Sequence, residues 1–309
     1  MNHYSTSATA ATVVSDCQDV HVPNTLFLLA AVTSLAENLL VVLAVMRTPK
    51  LHTPMYLFIC NLAAFNTLSS MGKAWETAMM AFHAAGHLEW TSDLVQHLDN
   101  VVDTIMCASF FGSFCSFWVI AVDRYITIFH ALRYHVIVTV RRTVMVIGMT
   151  WTVCGIAGAL MIRFANYAVV TVIFTTVMVA SMLLILPLYA HMFLLARKHA
   201  GHIASLPGHG RTGRAARAAG SMQAALTLTT LFGVFIMCWA PLSLHLALLK
   251  FCPQNPYCQC YFSWHQVHLL LAVSHAIIDP TIYAFRSKEL RCSFQRLLRF
   301  SISWVSSSR

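Results

Sequence analysis

Long apolar runs, separated by short polar joints, dominate the chain. Seven stand out, at residues 24–46, 54–80, 98–124, 142–163, 168–196, 222–249 and 263–286. Each has roughly the 20 residues an α-helix needs to cross a hydrocarbon core. The joints, such as 47–51, 133–142 and 251–260, are brief and polar. Backbone N–H and C=O groups in hydrocarbon must be paired within the protein, which leaves only helices or a closed barrel. Barrel strands alternate over about 10 residues, and these runs are longer and apolar throughout. The pattern predicts an all-α membrane protein: a seven-transmembrane helix bundle over 24–286, an N-terminal tail over 1–23 and a C-terminal segment over 287–309. In that last segment Leu290, Phe294, Leu297 and Leu298 recur at helical spacing among basic residues. That spacing predicts a short amphipathic helix lying on the membrane face.

Composition supports the lipid reading. Of 309 residues 58% are hydrophobic and 10% charged, against about 25% charged in soluble domains. The basic residues then set the orientation. With residue 1 outside, 16 of the 20 fall in inner joints or the tail, and Arg124 lies at the inner end of the third run. Only Lys73, Arg163 and Lys250 lie elsewhere. The positive-inside rule therefore predicts a multi-pass membrane protein with its N-terminus outside. The net charge of +9 is the ordinary bias toward anionic inner-leaflet lipid and implies no nucleic acid. Carboxylates run the other way: Asp16, Asp19, Glu76, Glu89, Asp93, Asp99 and Asp103 fall in the outer half. An acidic outer vestibule attracts a cationic ligand.

Asp99 and Asp103 are four residues apart, hence on one helix face. With Glu76 they form a carboxylate set whose mutual repulsion calls for a cation, and oxygen donors suit calcium. The rival reading is that they meet a ligand's arginine directly. Ten cysteines divide by position. Cys60, Cys107, Cys115, Cys154 and Cys238 lie inside runs as small hydrophobes. Cys17, Cys252, Cys258 and Cys260 lie in outer segments, where two disulfides are expected, with a zinc site at Cys258-Gln259-Cys260 as the rival. Cys292 reads as a free thiol, with lipidation as the alternative. No nucleophile–base pair or phosphate-cradling glycine loop supports an enzyme, and no repeated halves support a transporter.

Three motifs carry more specific information. Asp123-Arg124-Tyr125 closes the third run, where an ionisable pair at the membrane edge marks function, although snorkelling of Arg124 is the plain alternative. Cys238-Trp239-Ala240-Pro241 lies in the sixth run and Asp279-Pro280-Thr281-Ile282-Tyr283 in the seventh. Proline removes a helix hydrogen bond and creates a hinge. In this order and in these runs, the motifs resemble those of rhodopsin-like G-protein-coupled receptors.

Leu51-His52-Thr53-Pro54-Met55-Tyr56 looks like both olfactory and melanocortin receptors. The segment from Ala121 to His135, Glu37-Asn38, His191-Met192-Phe193-Leu194-Leu195-Ala196-Arg197 and the run Cys252-Pro253-Gln254-Asn255-Pro256-Tyr257-Cys258-Gln259-Cys260 resemble melanocortin receptors. Within that family His130, Ile126 and 193–197 look like the adrenocorticotropin-binding branch. The resemblance implies a peptide agonist, either adrenocorticotropin or a melanocyte-stimulating hormone. It also implies cyclic AMP signalling through the stimulatory heterotrimeric G protein and, for that branch, the melanocortin receptor accessory protein. It implies a calcium ion shared with the peptide at Glu76, Asp99 and Asp103, a pocket histidine at His245, and disulfides Cys252–Cys258 and Cys17–Cys260. Asp123, Arg124, Tyr125, Trp239, Pro241, Asp279, Pro280 and Tyr283 take the switch positions. Several positions depart from the pattern. Leu242 and His265 stand where many relatives have phenylalanine, Phe110 stands near Trp239 where relatives have Leu or Met, and Asn66 replaces a mid-membrane aspartate.

Overall fold

The computed structural model describes residues 17–86, 93–130, 133–163, 167–204, 230 and 233–307. Asp16, Glu89, most of 198–221 and the start of the sixth run lie outside these. Seven long helices are described: α1 (Asn24–Arg47), α2 (Pro54–Ala84), α3 (Asp93–Phe129), α4 (Val140–Arg163), α5 (Tyr167–Ala204), α6 (Gly233–Phe251) and α7 (His265–Arg286). An eighth, α8, covers Lys288–Ser307. We call the end of the bundle where α1 begins the N face and the opposite end, where α8 starts, the C face.

The predicted runs are these helices, but several helices are longer. α3 starts at Asp93 instead of 98, α2 continues to Ala84, and α5 runs on to Ala204. Hydropathy ends where lipid ends; a helix ends only where its backbone loses partners or finds a cap. Five helices are long and apolar enough to cross a membrane by composition alone, α1, α3, α4, α6 and α7. α2 carries Lys73 and Glu76, and α5 contributes a shorter apolar stretch, Thr175–Leu184, among the described residues.

Polar side chains sew the bundle together at mid-depth. Pro280 lacks an N–H, so it leaves the carbonyl of Ala276 without its helical donor. Asn38 Nδ2 on α1 donates to that carbonyl at 2.7 Å. Ser34 and Ser70 join α1 to α2 at 2.7 Å. Asn61 Nδ2 donates to Ser116 Oγ on α3 at 2.8 Å, and Asn61 Oδ1 accepts from Trp151 Nε1 on α4 at 2.9 Å. Buried polar groups in hydrocarbon must be satisfied, so each pair fixes one helix against another.

Small residues set the closest approach. A Cβ on Gly112 of α3 would collide with the ring of Phe65 on α2. Phe65 is itself stacked on Trp151, with ring centroids 4.3 Å apart. On the C face Tyr56 and Ser287 hydroxyls share a 2.9 Å hydrogen bond. Leu290 of α8 is fully buried, and Phe294 and Leu297 pack against the bundle core, while Arg291, Arg296 and Arg299 are exposed. That is the amphipathic helix expected from the sequence; the Leu298 side chain lies outside the described set.

Candidate ligand and switch sites

At the N face, the three predicted carboxylates lie on α2 and α3. Glu76 lies on α2, and Asp99 and Asp103 lie one turn apart on α3. Asp103 is open to the vestibule and feels the charges of Asp99, Glu76 and Lys73. By sequence alone Lys73 is a basic residue apart from the inner joints. Its ammonium donates to both Glu76 oxygens, at 3.0 and 2.9 Å, from a side chain only 8% exposed. Glu76 is thus committed to a protein cation. Among the described residues no group of three His, Cys, Asp or Glu side chains is gathered around one point as metal ligands. The donors have calcium's chemistry, and Lys73 is their present counter-ion.

At the same face α6 and α7 carry a cluster of rings, and its His265 feels the charge of Lys73. His245 is buried, with its ring centroid 4.8 Å from His265, 5.5 Å from His268 and 5.1 Å from Phe262. Tyr261 stacks on His268 at 4.4 Å and donates from its hydroxyl to the carbonyl of Pro241 at 2.9 Å. Tyr261 and Phe262 belong to a short helix, Pro256–Phe262, which Asn255 caps by accepting from Tyr257 N at 3.0 Å. Burial pushes the Tyr261 phenol up from its ordinary pKa, which keeps it a donor. Sequence reading missed His268, Tyr261 and Phe262. His268 was findable, one helical turn from His265.

Two disulfides lock this face: Cys252–Cys258 within the α6–α7 joint and Cys17–Cys260 from the N-terminal segment. This removes Cys258-Gln259-Cys260 from the zinc reading. Beside the second bridge Val20 N donates to the carbonyl of Ser263 at 3.0 Å and Val22 N to Gln266 Oε1 at 2.6 Å.

Below the pocket Trp239 is buried among aromatic rings. Phe110 meets it edge-on at 5.3 Å, Phe114 at 5.2 Å, and His275 of α7 at 5.2 Å. A movement of α6 at Pro241 therefore repacks rings from α3 and α7. At mid-depth Asn66 Oδ1 accepts from Ser113 Oγ at 3.0 Å, and its Nδ2 faces Asp279 Oδ2 at 3.4 Å. Pro280 and Tyr283 are buried just beyond.

At the C face Arg124 Nη2 lies 3.5 Å from Asp123 Oδ2, and both residues are buried. Asp123 Oδ1 also accepts from the hydroxyl of Tyr134 at 2.9 Å. Tyr125 stacks on Phe129 at 4.2 Å, and Phe129 lies 5.0 Å from His191 of α5. Tyr134 went unnoticed in the sequence because it lies 11 residues from Asp123 with no periodic relation to it.

Comparison with known proteins identifies the family. The chain matches the 7 transmembrane receptor (rhodopsin family) model over residues 37–283. It is 45% identical to melanocortin receptor 3 of Homo sapiens over 282 residues, 91% of this chain and 87% of that protein. It is 44% identical to melanocortin receptor 4 of Danio rerio, covering 88% of this chain and 82% of that protein. The chain belongs to the melanocortin receptor family. It is a multi-pass membrane receptor and not an enzyme. Melanocortin receptor 5 of Homo sapiens is 43% identical over 92% of the receptor and 86% of its own length.

Proposed function

We propose that this receptor binds a melanocortin peptide at the N face and signals through the stimulatory heterotrimeric G protein to raise cyclic AMP. The supporting observation is a juxtaposition at the N face: acidic residues on α2 and α3, with Lys73 beside them in electrostatic reach of His265 in a histidine and aromatic cluster on α6 and α7. A peptide with a cationic side chain beside an aromatic one matches both. The N face is extracellular in this reading, which the basic residues of the opposite joints support, and the receptor resides in the plasma membrane.

Adrenocorticotropin is the proposed hormone. His130, Ile126 and 193–197 support that branch, and the melanocortin receptor accessory protein is its proposed partner. Melanocyte-stimulating hormones are the alternative. Glu76, Asp99 and Asp103 are the proposed calcium ligands. When bound, the ion supplies positive charge between these carboxylates and the peptide backbone.

Agonist shifts a balance between two bundle states. Agonist contact with Phe110, His245 and His265 presses on the ring cluster around Trp239. Helix α6 then swings about Pro241, Arg124 leaves Asp123, and the C face opens for the G protein.

The test is cyclic AMP in cells expressing the receptor, with and without the accessory protein. A response to adrenocorticotropin alone, requiring the accessory protein, supports the full reading. A response to a short melanocyte-stimulating peptide without it moves the chain to another branch. Silence to both, with receptor at the surface, overturns the hormone assignment.

A further inference from the structure

The N-face carboxylates carry their own counter-ion. Lys73 lies three residues before Glu76 on α2 and grips both of its carboxylate oxygens. Its stem is sealed in the bundle, and its ammonium sits 5.2 Å from the centroid of Phe27 on α1. The same charge reaches Asp103 on α3 and His265 on α7. Among the described residues this is the one ion pair in the cluster. A buried ammonium cannot drift into water when its partner is taken, so losing Glu76 is costly for it. Anything cationic that enters the vestibule must compete with a tethered cation.

We propose that Lys73 is a specificity-determining residue, a built-in competitor that holds Glu76 until a ligand with enough positive charge displaces it. The idea rests on the functional reading above and deepens it, because it sets which ligands the site admits. Lys73 screens the cluster against weakly cationic ligands. A strongly basic peptide that gains Asp99 and Asp103 offsets the displacement, and Glu76 is then free for the calcium ion it would share with them.

The experiment is a double-mutant cycle in the full receptor, co-expressed with the accessory protein. Cyclic AMP is read against concentration of adrenocorticotropin and of a short melanocyte-stimulating peptide, with surface amounts measured by an epitope tag. Lys73→Gln is expected to lower the half-maximal concentration of an active peptide by on the order of tenfold. Lys73→Arg keeps the charge and should behave as the parent. In a Glu76→Gln background the gain from Lys73→Gln should vanish, because the competed group is gone. An unchanged or weakened response in Lys73→Gln overturns the proposal, as does a gain that persists without Glu76. A parent receptor silent to both peptides overturns the functional reading and this inference together, whereas a responsive parent with an unshifted variant overturns the inference alone.

Discussion

The hydroxyl of Tyr134 donates to Asp123 Oδ1 at 2.9 Å, tying the joint after α3 to the residue that also holds Arg124. Both partners of Asp123 restrain the C-face end of α3. A hydrogen bond to a charged group contributes about 1.5–3 kcal/mol. Tyr134→Phe removes it without changing shape. We expect the variant to melt at lower temperature in detergent and to lose coupling several-fold while retaining peptide binding. Arg124→Ala should abolish the cyclic AMP response and leave surface binding intact; a retained response in that variant removes Arg124 from the switch.

The same pair sets a pH dependence. Burial, and then the charge of Asp123, push the Tyr134 phenol up from 10 to about 12. A raised folded-state value means the contribution is fully present below the unfolded value and is lost as pH climbs through the folded one. The difference in melting temperature between the parent and Tyr134→Phe should be constant up to about pH 9, then shrink between about 10 and 12. Thermal unfolding across that range checks it, and a difference that stays flat to the top counts against the bond.

Gly112 supplies a packing test. Phe65 occupies the space a Cβ would need, and Trp151 on its other face prevents it from swinging away. Overpacking of this kind costs about 1–3 kcal/mol. Gly112→Ala should reduce surface expression and melting temperature together. Gly148, which has open space at its Cβ position, should tolerate the same change. Equal loss at both positions would mean that helix propensity or lipid contact, not the Phe65 collision, controls the outcome.

These residues also mark what a sequence reader can see. Seven helices were legible because lipid demands unbroken apolar length, and Pro280 even announced an orphan carbonyl at Ala276. Its donor, Asn38, is 238 residues away, and no local pattern points there. The carboxylates at 76, 99 and 103 were legible as charges out of place in an apolar run. Lys73 was equally out of place and only three residues from Glu76, so the ion pair could have been read from helix spacing. Tyr261 and Phe262 could not, because the disulfides and the capped turn at Asn255 decide where that joint folds.

Asn66 carries the last prediction. Its amide nitrogen faces Asp279 Oδ2 at 3.4 Å and Asn38 Oδ1 at 3.5 Å, while its oxygen accepts from Ser113. An aspartate here would add a second carboxylate beside Asp279, and two carboxylates with hydroxyl and amide oxygens form a hard site for a small cation. With Asn66, a donor N–H stands where such a cation would lie, and Asp279 alone supplies charge. Agonist affinity in the parent should therefore change less than about twofold when sodium is replaced by a bulky organic cation, since without a bound ion there is no differential affinity to shift the two states. Asn66→Asp should create a several-fold sodium dependence, with sodium lowering agonist affinity by holding α2 and α7 together. Sodium-sensitive binding in the parent, abolished by Asp279→Asn, would mean that one carboxylate with neutral oxygens is enough, and that the asparagine tunes the site without closing it.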